Sequence, residues 1–138
     1  MHESLDLAII GGGPAGLTAG LYASRARLNA LLLEQMGPGG QVLLTDWVEN
    51  YPGFPDGLSG YDLVEVFKGH ALRFGLRLET KEVRALRFGR PHVLELADGE
   101  LEAKAVIIAS GARPNRLGVA GEGKLTSKGV SFCATCDG

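Results

Sequence analysis

A glycine-rich turn between two apolar segments near the start of the chain constrains the fold more than any other feature. The segment 5–10 is apolar and stops at Gly11-Gly12-Gly13-Pro14-Ala15-Gly16, after which apolar residues recur at helical spacing as far as Arg25. This order predicts a strand, a tight turn and a helix, and the turn fits the pattern G-x-G-x-x-G. The chain is therefore expected to begin with a βα unit of an α/β fold.

The three glycines of this pattern have different expected roles. Gly11 can adopt the backbone angles of a tight turn, Gly13 leaves room for a pyrophosphate beside the main chain, and Gly16 lets helix and strand pack closely. The helix N-terminus directs free N–H groups and the positive end of its dipole at the phosphates. A second apolar segment, 30–33, ends at Glu34, close to the ~20-residue spacing at which a carboxylate binds ribose hydroxyls. The alternative is that Glu34 is simply solvated after a strand, but the combined pattern favours dinucleotide binding.

Composition and charge exclude several other classes of protein. The 138 residues, 45% hydrophobic and with 21 glycines, are typical of an ordered α/β domain with many turns. A net charge of −2 provides no basic face for nucleic acid or a membrane surface. The first residues are not a basic leader, and no stretch approaches the ~20 apolar residues of a membrane span. We therefore expect a soluble, cytoplasmic protein.

The middle of the chain predicts a long loop followed by one helix. Residues 35–55 mix aromatic residues with proline and glycine, which excludes a regular helix, and their apolar side chains either cap the core or line a pocket for a flat aromatic ligand. Ser59 and Asp62 form a capping-box pattern, Gly75 is expected to end the helix, and His70 is favoured as a surface or core-edge residue. The predicted apolar face of this helix consists of Leu63, Val64, Phe67, Ala71 and Phe74.

Four extended segments are predicted after the helix. The first, 76–80, returns to the sheet, and the next three predict an antiparallel three-stranded β-meander with a two-residue hairpin at Asp98-Gly99. The last segment ends in a continuous apolar run, 105–109, which predicts a strand buried on both faces within the parallel sheet. The run stops at Ser110-Gly111-Ala112, at the carboxyl end of a strand, where ligands of open α/β sheets bind.

A polar, proline-containing segment, 113–116, predicts a boundary between a domain at 1–115 and the start of another at 116–138. Beyond it, Cys133 and Cys136 form a C-x-x-C pair. A structural disulfide there gains only about 2 kcal/mol from loop closure, and a zinc site lacks two suitably spaced ligands. A redox dithiol fits best, and Asp137 is either a solvated charge or the acid that manages the thiol proton.

Together these motifs resemble the bacterial-type, low-molecular-weight thioredoxin reductases. The resemblance runs through the whole chain in order, and Cys133-Ala134-Thr135-Cys136-Asp137-Gly138 is its most specific part. Ser110 stands where the family usually has threonine. The other matching segments are Gly11-Gly12-Gly13-Pro14-Ala15-Gly16, Glu34, Gly39-Gly40-Gln41, Glu49-Asn50-Tyr51-Pro52-Gly53 and Ala109-Ser110-Gly111-Ala112.

The resemblance implies a Rossmann-like FAD-binding domain. The glycine turn would bind the pyrophosphate, Glu34 the adenosine ribose, and the backbone of Val83 the adenine. Gly40, Gln41 and Asn50 would lie near the flavin and the ribityl chain. The implied cofactor-binding residues are Gly11, Gly13, Pro14, Ala15, Glu34, Gly40, Gln41, Asn50, Val83 and Gly111.

The resemblance also implies an activity and a partner. In the family, NADPH reduces the flavin, the flavin reduces the disulfide of the cysteine pair, and the dithiol reduces thioredoxin. Cys136 would face the flavin, Cys133 would attack the thioredoxin disulfide, and Asp137 would act as the acid. No metal is involved, and family members are homodimers.

The end of the chain departs from the family pattern. Family members are about twice as long, their cysteine pair belongs to an NADPH-binding domain, and a later segment completes the FAD domain. The sequence therefore resembles an N-terminal portion, expected to expose an apolar sheet edge and not to turn over with NADPH alone. The alternatives are a nucleotide-binding module without catalysis, a subunit completed by a separate chain, and a ferredoxin-NADP reductase-like flavoprotein, against which the cysteines argue.

Overall fold

The computed structural model describes residues 4–126 and 128–133, which form one mixed six-stranded sheet with helices packed against it. The strands lie in the order β3-β2-β1-β6-β5-β4. Neighbours from β3 to β6 are parallel, and β6, β5 and β4 are antiparallel. The elements are β1 (Leu5–Ile10), α1 (Pro14–Arg25), β2 (Ala30–Glu34), a 3₁₀ helix (Gly40–Leu44), α2 (Gly60–Arg73), β3 (Arg77–Thr80), β4 (Val83–Arg87), β5 (His92–Leu96), β6 (Gly99–Ile108) and α3 (Glu122–Leu125).

The core lies on both faces of β1 and β2, because these strands are central and apolar at nearly every position. On one face, Ile9 and Leu32 pack with Leu17 of α1 and Val64 of α2. On the other face, side chains of β1 and β2 pack with the meander, where Leu94 is fully buried. The predicted first strand, helix and second strand are confirmed.

Helix α2 has the predicted N-terminus, with one difference in the cap. The Ser59 hydroxyl accepts the Asp62 N–H at 3.0 Å, and it donates to the Asp62 carboxylate at 2.6 Å, so Asp62 reaches back to the hydroxyl. Gly75, at φ +89°, follows the end of the helix as predicted. Phe74 was wrongly placed in the core: it is 42% exposed, and the Arg25 guanidinium lies 5.4 Å from its ring.

The predicted meander is present, and its last strand joins the parallel sheet. β6 pairs with β5 on one side and with β1 on the other, so the meander and the parallel strands form one continuous sheet. Leu96 pairs with Gly99, which makes Ala97 and Asp98 the two loop residues. The predicted turn is therefore displaced by one residue, because Gly99, at φ +145°, already belongs to β6.

The prediction that the end of β6 is buried on both faces is wrong. Ile107 and Ile108 are 39% and 61% exposed, whereas Ala103 is fully buried. The helix-face core is built from β1 and β2 together with α1 and α2, and no side chain of β6 belongs to it. The expected apolar edge is also wrong, since the sheet edges are β3 and β4, whereas the exposed Ile107 and Ile108 belong to β6, inside the sheet.

In the long segment after β2, some apolar side chains cover the core and others line a cavity, as the two interpretations of the sequence proposed. It contains the 3₁₀ helix, which the proline and glycine content did not predict, and an isolated bridge between Val48 and Leu58. Tyr51 packs its ring at 5.4 Å from Phe67 of α2 and so helps to cover the core. Leu43, by contrast, lines a cavity. No helix among the described residues is long and apolar enough to cross a membrane.

Past β6 the chain forms neither helix nor strand until α3. Glu122, at the start of α3, is a buried acid: its carboxylate accepts the N–H groups of Leu117 and Gly118 at 3.0 and 2.8 Å. Two charge-assisted hydrogen bonds compensate for the loss of water around the carboxylate. The boundary proposed between residues 115 and 116 falls in this irregular segment and stays a prediction.

Candidate functional site

The strand order reverses at the ends of β1 and β6, which defines where a ligand can bind. From β1 the chain passes to β2 and β3 on one side, and β6 then inserts on the other side of β1. Where the chain leaves two adjacent parallel strands towards opposite sides of the sheet, a crevice forms at the carboxyl ends of those strands. Here those turns are the glycine turn after β1 and the segment Ala109-Ser110-Gly111 after β6.

A cavity of about 750 Å³ opens at this point. It combines the glycine turn, the end of β2, the 3₁₀ helix and the segment after β6. Eight of the ten predicted cofactor-binding residues line it: Gly11, Gly13, Pro14, Ala15, Glu34, Gly40, Gln41 and Gly111. Residues separated by up to 100 positions in the chain are thus brought together.

The glycines of the turn divide into structural and cavity positions. Gly11 has φ +108°, and a Cβ there would overlap the Ala109 carbonyl of the neighbouring turn. A Cβ on Gly16 would overlap the Gly11 carbonyl, so this glycine permits the close packing of α1 on the turn. A Cβ on Gly13 would meet only the Gly40 Cα, at 3.9 Å, and both residues line the cavity.

Glu34 is not merely solvated after its strand. Its carboxylate accepts the Gly12 N–H at 2.6 Å and the Met36 N–H at 3.3 Å, and the residue lines the cavity beside the glycine turn. These bonds hold the carboxylate between the end of β2 and the turn after β1. A carboxylate in this place can accept hydrogen bonds from vicinal hydroxyls of a ribose.

The two rims of the cavity are joined by a side chain. The Gln41 amide donates to the Ala112 carbonyl at 2.9 Å, linking the 3₁₀ helix to the segment after β6. Arg113, the next residue, also lines the cavity. The sequence reasoning missed Arg113 by treating it as part of a domain boundary; its position just past the carboxyl end of β6 was the signal available.

Other predicted site residues lie apart from this cavity. Asn50 is exposed and Val83 is in β4, and neither lines the cavity. His70, expected at the surface or core edge and not in a site, is exposed, with its ring 5.6 Å from Phe74. Cys136 and Asp137 fall outside the described residues, so their predicted roles stay predictions.

Cys133 is half-buried and disulfide-bonded. Its N–H donates to the Ser131 hydroxyl at 3.1 Å, and that hydroxyl donates to the Cys133 carbonyl at 3.0 Å. Short hydroxyl-to-backbone bonds of this kind fix a local turn. Along the described ranges no cluster of three or more His, Cys, Asp or Glu side chains could bind a metal ion.

A second cavity, of about 730 Å³, lies beside the cis Arg90–Pro91 bond at the other end of the meander. Two of its polar groups are already engaged: Lys104 pairs with Asp6 at 2.7 Å, and His92 accepts the Gly89 N–H at 3.2 Å. Among the described residues, its lining contains one glycine, Gly89 in the turn between β4 and β5, and no helix N-terminus. The cavity at the strand reversal is therefore the better ligand site.

A parallel sheet with this strand reversal, a glycine turn leading into α1 and an acid at the end of β2 define a Rossmann-type dinucleotide-binding fold. The family described as "Pyridine nucleotide-disulphide oxidoreductase" matches residues 5–138. The chain belongs to this family.

Several similar proteins with curated names or solved structures are named thioredoxin reductase. A thioredoxin reductase of Helicobacter pylori is 48% identical over 97% of this chain and 44% of its own length. The crystal structure of the thioredoxin reductase from Streptococcus pyogenes has a TM-score of 0.89 and 43% identity, covering 99% of this chain and 45% of that one. The structure of the Giardia duodenalis thioredoxin reductase has a TM-score of 0.87 and 37% identity, covering 99% of this chain and 45% of that one. The chain thus spans less than half the length of these relatives.

Proposed function

We propose that this chain is the FAD-binding part of a thioredoxin-disulfide reductase, in which electrons pass from NADPH through the flavin to the Cys133–Cys136 disulfide and on to thioredoxin or a similar protein. The observation that supports it most is the cavity at the strand reversal, which gathers eight predicted cofactor residues. The similarity to proteins named thioredoxin reductase, together with the C-x-x-C pair, favours a disulfide substrate over other electron acceptors.

The cavity fits a dinucleotide on its own geometry. Its floor is made of glycine backbone: a Cβ on Gly40 would lie 3.3 Å from the Gly13 Cα, and one on Gly13 would lie 3.9 Å from the Gly40 Cα. Helix α1 begins here with Pro14 at its N-terminus, no acidic residue in its first turn and no side-chain cap on Gly13. The N-terminal amides of α1 are thereby left for a phosphate.

Each residue then has a defined task. Bound FAD would supply two-electron redox chemistry between a nicotinamide and a disulfide. The α1 amides would bind the pyrophosphate, and Glu34 would accept from the ribose hydroxyls. As a thiolate, Cys133 would attack the partner's disulfide to give a mixed disulfide, which Cys136 would resolve by releasing the reduced partner, while Asp137 would manage the thiol proton. Homodimerisation and a cytoplasmic location belong to the same proposal.

The test is a visible spectrum of the purified 138-residue chain after FAD has been added and free flavin removed. Under anaerobic conditions we expect dithiothreitol to bleach the retained flavin through the cysteine pair, and NADPH alone to leave it oxidised, since the described residues form one dinucleotide cavity. Cys133→Ser is the matched control, and it should keep the flavin but lose rapid bleaching.

The outcomes separate the alternatives. Retained flavin that bleaches equally fast in the wild type and in Cys133→Ser would favour a nucleotide-binding module without dithiol catalysis. Steady reduction of thioredoxin by the isolated chain with NADPH would contradict the expectation that it does not turn over alone. Co-purification of a second polypeptide that restores NADPH activity would favour a subunit completed by a separate chain.

A further inference from the structure

Arg113 is held at the rim of the dinucleotide cavity by its neighbours on the chain. The segment after β6 is tied to β1 by the Ala109 N–H, which donates to the Ile10 carbonyl at 2.8 Å. It then turns at Gly111, with φ +68°, and is tied to the opposite rim by the bond from Gln41 to the Ala112 carbonyl. Both anchors lie just before Arg113, so they hold its backbone beside the cavity that this residue lines.

The charges around the cavity single out this residue. Among the described residues that line it, Arg113 is the one cation and Glu34 the one anion. Glu34 already accepts two backbone N–H groups, and within residues 4–126 and 128–133 no carboxylate forms an ion pair with Arg113. Arg113 is thus a positive charge without an ion-pair partner among the described residues, and it shares the cavity with Pro14 and Ala15 at the N-terminus of α1.

A dinucleotide brings the opposite charge. Its pyrophosphate has two negative charges, and a guanidinium binds phosphate oxygens through two parallel N–H bonds. An exposed guanidinium also attracts the anion through solvent, and dissolved salt screens this attraction. The Debye length falls from about 10 Å at 0.1 M salt to about 3 Å at 1 M. The α1 N-terminus and Arg113 belong to different elements that line the same cavity, and both favour the negative charge of a phosphate.

We propose that Arg113 is a phosphate-binding residue of the cofactor site, acting on the pyrophosphate of the dinucleotide together with the N-terminus of α1. The inference rests on the proposed function, because it requires FAD or a dinucleotide like it in this cavity. Arg113 adds electrostatic affinity to a site whose glycine turn and Glu34 define its shape. Its contribution should therefore depend on ionic strength.

The experiment is a fluorescence titration of FAD with the full chain and two matched variants at about 50 mM and about 1 M salt. Arg113→Gln should weaken FAD binding about tenfold at low salt, and the ratio to wild type should shrink towards one at high salt. Arg116→Gln removes the same charge three residues away, outside the cavity lining, and should stay within about twofold of wild type.

Three results would overturn the inference. Equal affinities for Arg113→Gln and Arg116→Gln would show that only net charge matters. A loss in Arg113→Gln that is unchanged at 1 M salt would indicate a change of cavity shape instead of an electrostatic contact. Absence of FAD binding by the wild type would overturn the proposed function, and this inference with it, whereas the first two results would leave the proposed function standing.

Discussion

At the scale of single residues, the glycines of one short motif have different surroundings, which the structure distinguishes and the sequence pattern does not. Gly16 faces the backbone of its own turn, where a Cβ would overlap the Gly11 carbonyl. Gly13 faces the cavity floor, where a Cβ finds ordinary van der Waals distance to Gly40. The first is needed for the packing of the fold, and the second is proposed to leave room for the ligand, although the pattern G-x-G-x-x-G treats both as fixed.

A pair of glycine substitutions tests the structural role. Gly16→Ala should destabilise the chain by about 3 kcal/mol or prevent folding, because the new methyl meets rigid backbone. Gly69→Ala, inside α2 with no atom within 4 Å of the added Cβ, should instead stabilise it by about 0.5–1 kcal/mol. Urea unfolding followed by circular dichroism measures both, and equal stability of Gly16→Ala and wild type would contradict the packing argument.

At the scale of elements, β6 connects the two halves of the sheet and is also its most exposed apolar strand. Its pairing was predictable, because an alternating pattern that becomes continuously apolar marks a strand passing from a meander into a parallel sheet. Its exposure was not, because burial of Ile107 and Ile108 depends on which helices lie over them. The local sequence pattern predicts the strand, whereas the burial of its side chains depends on how the helices and the sheet pack together.

The ion pair between β1 and β6 gives a pH-dependent prediction. The hydrogen bond from Lys104, and then the one from the Asn29 backbone, hold the pKa of Asp6 below its ordinary value. Asp6 therefore binds its proton more weakly in the folded chain, so its stabilising effect is complete above pH ~4 and is lost as the pH falls through the lower folded pKa. Asp6→Asn should lower the urea midpoint slightly at pH 7, and this difference from wild type should shrink as the pH falls below ~4 towards ~2.

A control variant makes this result specific. Asp56→Asn removes an exposed acid from the loop before α2 and should not change the midpoint at either pH. A difference between Asp6→Asn and wild type that persists unchanged at pH 2 would show that the side chain acts through packing and not through its charge. Added salt should reduce the difference in urea midpoint between Asp6→Asn and wild type at pH 7, since the Asp6–Lys104 pair is at the surface.

At the scale of the whole molecule, the cavity exists because the chain reverses direction across the sheet. Gly11 and Gly111 follow β1 and β6, and Glu34 is the last residue of β2, so their common location at the carboxyl ends could be predicted from the sequence. The resemblance also named Gly40 and Gln41, and Arg113 had a signal in its position just past β6, but the 3₁₀ conformation and the link between the two rims could not be predicted. They depend on a long loop folding back over the crevice, and on a side chain-to-backbone bond between residues 41 and 112 that leaves no periodic signal.

The central claim is that this cavity binds FAD, and a fluorescence titration of FAD with the wild type and Gly13→Ala tests it most directly. We predict saturable binding of one FAD per chain, weakened about tenfold, or ~1.4 kcal/mol, by a methyl on the cavity floor, with an unchanged unfolding curve. Wild-type chain that binds no FAD, or Gly13→Ala that binds as tightly as wild type, would contradict the account.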